Sequence, residues 1–152
     1  MKISIYSREE IEELIDNDFP KNAAVISFYD PKGIRSDNLI PVDYKNKAEM
    51  LYQVATYDID IDYLDKYNLT FDTYLPEAKE ISEFIYKANE KGLDIICQCQ
   101  YGQSRSAACA AAILEHFEKN GISIFADYRY YPNQVVFNKI LNALKEVKEE
   151  RN

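Results

Sequence analysis

DIICQCQYGQSRSAACAAAILEHF, residues 94–117, passes from an apolar run through a short polar loop into an alanine-rich segment. The run Leu93–Cys99 is mostly apolar, with Ile95, Ile96 and Cys97 together at its centre, and it follows Gly92, so it reads as a buried strand. Ser104–Lys119 reads as a helix closed by Asn120-Gly121. Between them lies Gln100–Arg105, a loop that leaves the carboxyl end of a strand and enters the amino end of a helix. Ligands of open α/β sheets gather at such strand ends. A helix amino terminus adds unpaired N–H groups and the positive end of a dipole. Gly102 lets the backbone turn, and Arg105 offers a planar two-pronged grip on an oxyanion. The same positive field favours the thiolate form of Cys99, placed at the strand exit.

The segments on either side have the pattern of alternating strands and helices. Lys2–Ser7 alternates and reads as an edge strand. Ser7, three residues before Glu10, forms a capping-box pattern for the following helix. Ala23–Asp30 is a second buried strand, stopped by Pro31 and Gly33. NLIPVDY is an edge strand or a loop, because Pro41 cannot donate to a ladder. Ala48–Gln53 is a helical turn, or the start of the strand that runs into VATYDID. Pro76–Glu90 has helical spacing and Gly92 behind it; Asn133–Lys148 repeats apolar residues at Val136, Ile140, Leu144 and Val147. Together these predict one α/β domain over residues 1–152. A mostly parallel sheet of four to five strands would carry helices on both faces.

Charge and cysteine usage narrow the function. The formal net charge of −8 argues against nucleic acid as a partner, since phosphate backbones demand Lys and Arg stripes. Three cysteines, two of them only a residue apart, do not make a disulfide framework, and a reducing cytoplasm is expected. No apolar run approaches a membrane span, so no membrane association is expected.

Cys99-Gln-Tyr-Gly-Gln-Ser-Arg105-Ser106 resembles the C-x5-R-[ST] phosphate-binding loop of the cysteine-dependent protein tyrosine phosphatases, in particular small bacterial dual-specificity members. The resemblance spans roughly Val54 to Leu141, and Pro132-Asn133 before the last helix shares in it. It implies that Cys99 attacks the phosphorus of a phosphate monoester and forms a cysteinyl-phosphate. Substrate oxygens would be held by Arg105 and by the loop Gln100, Tyr101, Gly102, Gln103 and Ser104. Ser106 would hydrogen-bond the sulfur and help it to leave. No metal or organic cofactor is implied. The expected partner is a phosphorylated protein or peptide, and the expected state a monomer.

The resemblance also implies an aspartic acid that protonates the leaving oxygen, drawn from the loop after an earlier strand. YDIDIDYLD offers Asp58, Asp60, Asp62 and Asp65. Asp60 is the leading candidate, with Asp58 and Asp62 as alternatives. Gln98 stands where the family has histidine, which predicts a less stabilised thiolate. The only histidine, His116, lies well along the following helix and reads as a packing or surface residue. Cys109 reads as a small core residue, and Cys97 lies on the strand face of Cys99. Either could trap an oxidised Cys99 as a disulfide. Tyr101 is a candidate for the pocket mouth; Tyr128, Tyr130 and Tyr131 either line one wall of the cleft or cap the core. Gln100, Tyr101 and Gln103 stand where phosphoinositide-specific relatives carry lysine, so phosphotyrosine or a mixed protein-phosphate substrate is the expectation. Two other readings remain: a phosphate-binding module without turnover, and a rhodanese-like sulfurtransferase.

Overall fold

A computed structural model describes residues 1–152. In chain order it contains β1 (Ile3–Tyr6), α1 (Arg8–Asp16), β2 (Ala23–Tyr29), β3 (Met50–Ala55), a 3-10 helix (Ile61–Tyr67), α2 (Ala78–Glu90), β4 (Asp94–Gln98), α3 (Arg105–Glu118), α4 (Ile122–Phe125) and α5 (Gln134–Glu150). The strands form one parallel sheet in the order β1-β4-β2-β3. The strand that delivers Cys99 is therefore interior, paired on one side with Ile5 and on the other with Ile26 through Cys97. A position with neighbours on both sides gives the strand exit little freedom.

Period-two alternation divides the side chains of β2 and β4 between two cores. Ala24, Ile26, Phe28, Ile95, Cys97 and Cys99 face a large core shared with α2, α3 and α5. Ala23, Val25 and Ile96 face a smaller one under Ile11 and Ile15 of α1, with Val42 and Tyr44 from the long connection after β2. Each fully buried isoleucine contributes about 1.5–3 kcal/mol by leaving water, which fixes the register of both strands. Cys97 and Cys99 do share a face, and Gln98 points to the other.

α3 is buried along most of its length: Ala107, Ala108, Cys109 and Ala110–Ala112 are all inaccessible. Small side chains let this helix lie close to the sheet while α5 packs on it. The capping box at Ser7 and Glu10 is present, with Ser7 Oγ accepting from the Glu10 N–H. Ala48–Gln53 resolves into the start of β3, and NLIPVDY is a loop. α3 closes one residue earlier than the glycine pattern predicts, because Lys119 takes the left-handed position. Gly121 serves a different need: a Cβ there would sit 2.9 Å from Glu115 Cβ and 3.0 Å from the Ala111 carbonyl oxygen.

Candidate active site

The loop after β4 is shaped by what it leans on. Gly102 has φ +67°, and a Cβ on it would lie 2.7 Å from the backbone nitrogen of Ser7. The loop backbone thus packs directly on the β1–α1 junction, where only glycine fits. Its carbonyls are tied outward. Gln100 O accepts from the Arg8 N–H (3.1 Å), Gln103 O from Tyr131 N–H (2.8 Å), and Ser104 O from the N–H groups of Ala108 and Asn133 (2.9 and 3.2 Å). By contrast, no backbone N–H from Gln100 to Arg105 donates to a protein acceptor. Ser104, the residue before α3, does not cap the helix; its hydroxyl donates to Asp58 Oδ1 at 2.6 Å instead. An array of free donors at a helix start is a site for an oxyanion.

The side chains complete the cradle. Cys99 is almost wholly buried at the loop's base, with its Sγ 3.0 Å from Ser106 Oγ. The Arg105 guanidinium is 4% exposed, and Nη1 carries all its protein contacts: Asp30 Oδ1 at 2.6 Å, the Thr56 carbonyl at 2.7 Å and the Tyr29 carbonyl at 3.3 Å. Its Nε is buried without an acceptor. The carboxylate of Asp30 also accepts from Ser36 Oγ. Asp30 thus neutralises and orients the arginine, leaving one edge of the fork for a ligand. Asp30 and Thr56, at the ends of β2 and β3, were not among the candidates from sequence.

The acidic segment after β3 divides its carboxylates. Asp58 lines a cleft of about 410 Å³ together with Arg105, Gln100 and Tyr101. Its Oδ1 accepts from Ser104 Oγ and from Asn133 Nδ2 (2.9 Å), so the loop and the start of α5 both hold it. Asn133 Nδ2 also reaches the Ile59 carbonyl at 3.0 Å, while its Oδ1 caps α5 at Val136. Asp60 points elsewhere: it caps the 3-10 helix, accepting from the Ile61 N–H at 2.7 Å. Asp62 and Asp65 lie within that helix and do not line the cleft. The geometry thus brings Asp58, and not Asp60, to Arg105.

Gln98 is fully buried behind the nucleophile. Its Oε1 accepts from Ser27 Oγ (2.5 Å) and Tyr44 Oη (2.9 Å), and its Nε2 donates to the Cys99 carbonyl (3.0 Å). Glutamine satisfies every partner here without carrying charge. Tyr44 is held neutral, because burial pushes its phenol well above the ordinary range. Cys97 is likewise kept as a thiol by the neighbouring Cys109 sulfur and by burial. All three cysteines are free. His116 lies outside the site, bonded to Tyr86 Oη at 2.6 Å. Tyr101 is 75% exposed and lines the cleft together with Tyr57 and Tyr67, whose rings pack at a tilt. Tyr131 lines an adjoining groove.

A parallel sheet whose interior strand ends in this cysteine-to-arginine loop, followed by a buried helix, is the fold of the cysteine-dependent tyrosine and dual-specificity phosphatases. The chain is similar over 97% of its length to human DUSP28, covering 94% of that chain, at 12% identity and a TM-score of 0.57. A mouse putative dual-specificity phosphatase, solved with zinc tungstate, matches 98% of the chain over 86% of its own, with the same identity and TM-score. A human tyrosine phosphatase-like serine/threonine/tyrosine-interacting protein matches 95% of the chain over 86% of its own, at 16% identity and a TM-score of 0.54. No protein-family model and no curated protein matches the sequence.

Proposed function

We propose that the protein is a cysteine-dependent phosphatase that hydrolyses phosphate monoesters on protein tyrosine, with serine and threonine as further substrates if the cleft admits them. The observation that carries this reading is the set of unpaired N–H donors from Gln100 to Arg105 around a buried cysteine, beside an arginine whose Nε lacks an acceptor. That arrangement offers the most to three equatorial phosphoryl oxygens as their charge builds.

In the first step the Cys99 sulfur attacks phosphorus. The S–P bond forms as the P–O bond to the leaving group breaks, and Asp58 gives its proton to the departing oxygen. Arg105 and the loop N–H groups hold the phosphoryl oxygens. In the second step Asp58 takes a proton from water, whose oxygen bonds to phosphorus. The S–P bond then breaks and inorganic phosphate leaves, with Ser106 Oγ bonded to the sulfur that regains its electron pair. The residues present suffice for both steps without a cofactor. Residues 1–152 act as one domain and as a monomer. Three unpaired cysteines suit the cytoplasm, and no helix is long and apolar enough to cross a membrane.

Hydrolysis of p-nitrophenyl phosphate tests the reading. The wild-type protein should turn over, and Cys99→Ser should bind vanadate without turnover. A second reading, a phosphate-binding module, is favoured by Gln98 in place of histidine and by the similarity to a protein described as phosphatase-like. Vanadate binding by the wild-type protein with no nitrophenol release would select it.

A further inference from the structure

The oxyanion cradle sits inside an acidic rim. Of the carboxylates lining the cleft, Asp30 is neutralised by Arg105, while Asp37 and Asp58 have no ion-pair partner and Arg35 is the one further cation there. A phosphorylated substrate therefore meets a lining in which carboxylates outnumber cations, on a chain of net charge −8. Next to the cleft, and sharing Asp58 and Ile59 with it, runs a second groove of about 440 Å³. No basic side chain lines it. Asp60 lies in it with only one carboxylate oxygen committed to the helix cap, and Tyr131, 73% exposed, supplies an aromatic surface.

We infer that this second groove is a subsite for an arginine or lysine side chain flanking the phosphorylated residue, so that the preferred substrate is a phosphotyrosyl segment of basic sequence. This rests on the phosphatase reading above. A guanidinium laid on the Tyr131 ring would meet the Asp60 carboxylate, joining a cation–π contact to a charge pair. The phosphate end of the same segment would enter the cleft that Asp58 and Ile59 border. An acidic flanking residue would meet only repulsion there. The charge of the rim, unfavourable to an isolated phosphate, then becomes a means of choosing between substrates.

The test uses phosphotyrosyl peptides identical except for Arg, Ala or Glu on either side of the phosphotyrosine. The readout is the ratio of kcat/KM for the Arg and Glu peptides within each protein, so that changes in the chemical step cancel. The wild-type ratio should be about fivefold to tenfold and should shrink as salt is raised from about 20 to about 200 mM. Asp60→Asn keeps a capping side chain but removes the charge, and Tyr131→Ala removes the ring; each should lower the ratio about threefold. A wild-type ratio at or below one overturns the inference. So does faster turnover of phosphoethanolamine than of the Arg peptide, since the groove would then serve a small zwitterion. Failure to hydrolyse p-nitrophenyl phosphate defeats the phosphatase reading instead. In that case the affinity of Cys99→Ser for the same peptides, by fluorescence anisotropy, decides the subsite alone: tighter binding of the Arg peptide supports it and equal binding overturns it.

Discussion

Asn133 Nδ2 donates to Asp58 Oδ1 across 75 positions of sequence, at 2.9 Å, and so fixes one carboxylate of an acidic run over the loop that carries Cys99. Asp58 should therefore show the behaviour of a general acid. Asp58→Asn should slow phosphotyrosine hydrolysis by about 100-fold to 10,000-fold. Nitrophenyl phosphate, with its better leaving group, should suffer less, and the alkaline limb of the pH–rate profile should vanish. Asp60→Asn should leave the ratio between the two substrates unchanged. Parallel steady-state assays on the two leaving groups decide between the residues.

The Asp30–Arg105 pair makes a separate demand. Asp30→Ala strands a buried guanidinium, which should cost about 3 kcal/mol of stability by urea denaturation. It should also lower kcat/KM, because the fork loses its orientation. Arg105→Lys keeps the charge but not the planar geometry, and should weaken vanadate binding as well as turnover. Equal vanadate affinity in Arg105→Lys would remove the fork from the site.

Ser106 Oγ, 3.0 Å from Cys99 Sγ, acts when the sulfur leaves. Ser106→Ala should slow breakdown of the phosphoenzyme by about tenfold to 100-fold, the value of a hydrogen bond to a charged group. Rapid-mixing experiments should then show a burst of nitrophenol followed by a slow steady rate. A single slow phase without a burst would place Ser106 in the first step.

His116 supplies a pH-dependent stability unrelated to catalysis. Burial, and then the charges of Lys148, Lys119 and Lys145, hold its imidazole below the ordinary histidine value, where Tyr86 Oη bonds it. The unfolded chain therefore binds more protons than the folded one just below about pH 6.5, and stability falls as pH drops through that range. Denaturation of wild type and His116→Gln at pH 7.5, 6.5 and 5.5, chosen to bracket that value, should show a decline with falling pH that the variant lacks.

Sequence patterning reached the fold through features that are local. An isoleucine-rich run, a glycine, an arginine and a block of alanines within 94–117 prescribe strand, loop and helix without help from elsewhere. The capping box of α1 is local in the same way. The acidic segment was not legible to that depth. YDIDIDYLD repeats aspartate at every second position, and only Asn133 and Ser104, brought in by α5 and α3, distinguish Asp58 from Asp60. Asp30 looked like the end of a strand because its partner, Arg105, is 75 residues away. Gln98 read as a weaker support for the thiolate in one dimension. In three it is a bridge between Ser27, Tyr44 and the Cys99 backbone, and those partners come from other segments of the chain.

The seat of Gly102 on Ser7 also sets an order of events. β1 pairs with β4 across some ninety residues, with the Lys2 N–H reaching Asp94 at a separation of 92. At roughly 5–20 residues per second, a ribosome takes roughly 5–20 seconds to supply the partner strand. Parallel pairing at such separation is among the slowest contacts a small domain makes, since a long loop must close before anything is gained. The loop around Cys99 cannot take its final shape until that closure is complete. The nascent chain thus carries an unpaired first strand until β4 emerges with Cys97 in it and Cys99 close behind, and the reactive loop is among the last parts of the molecule to mature.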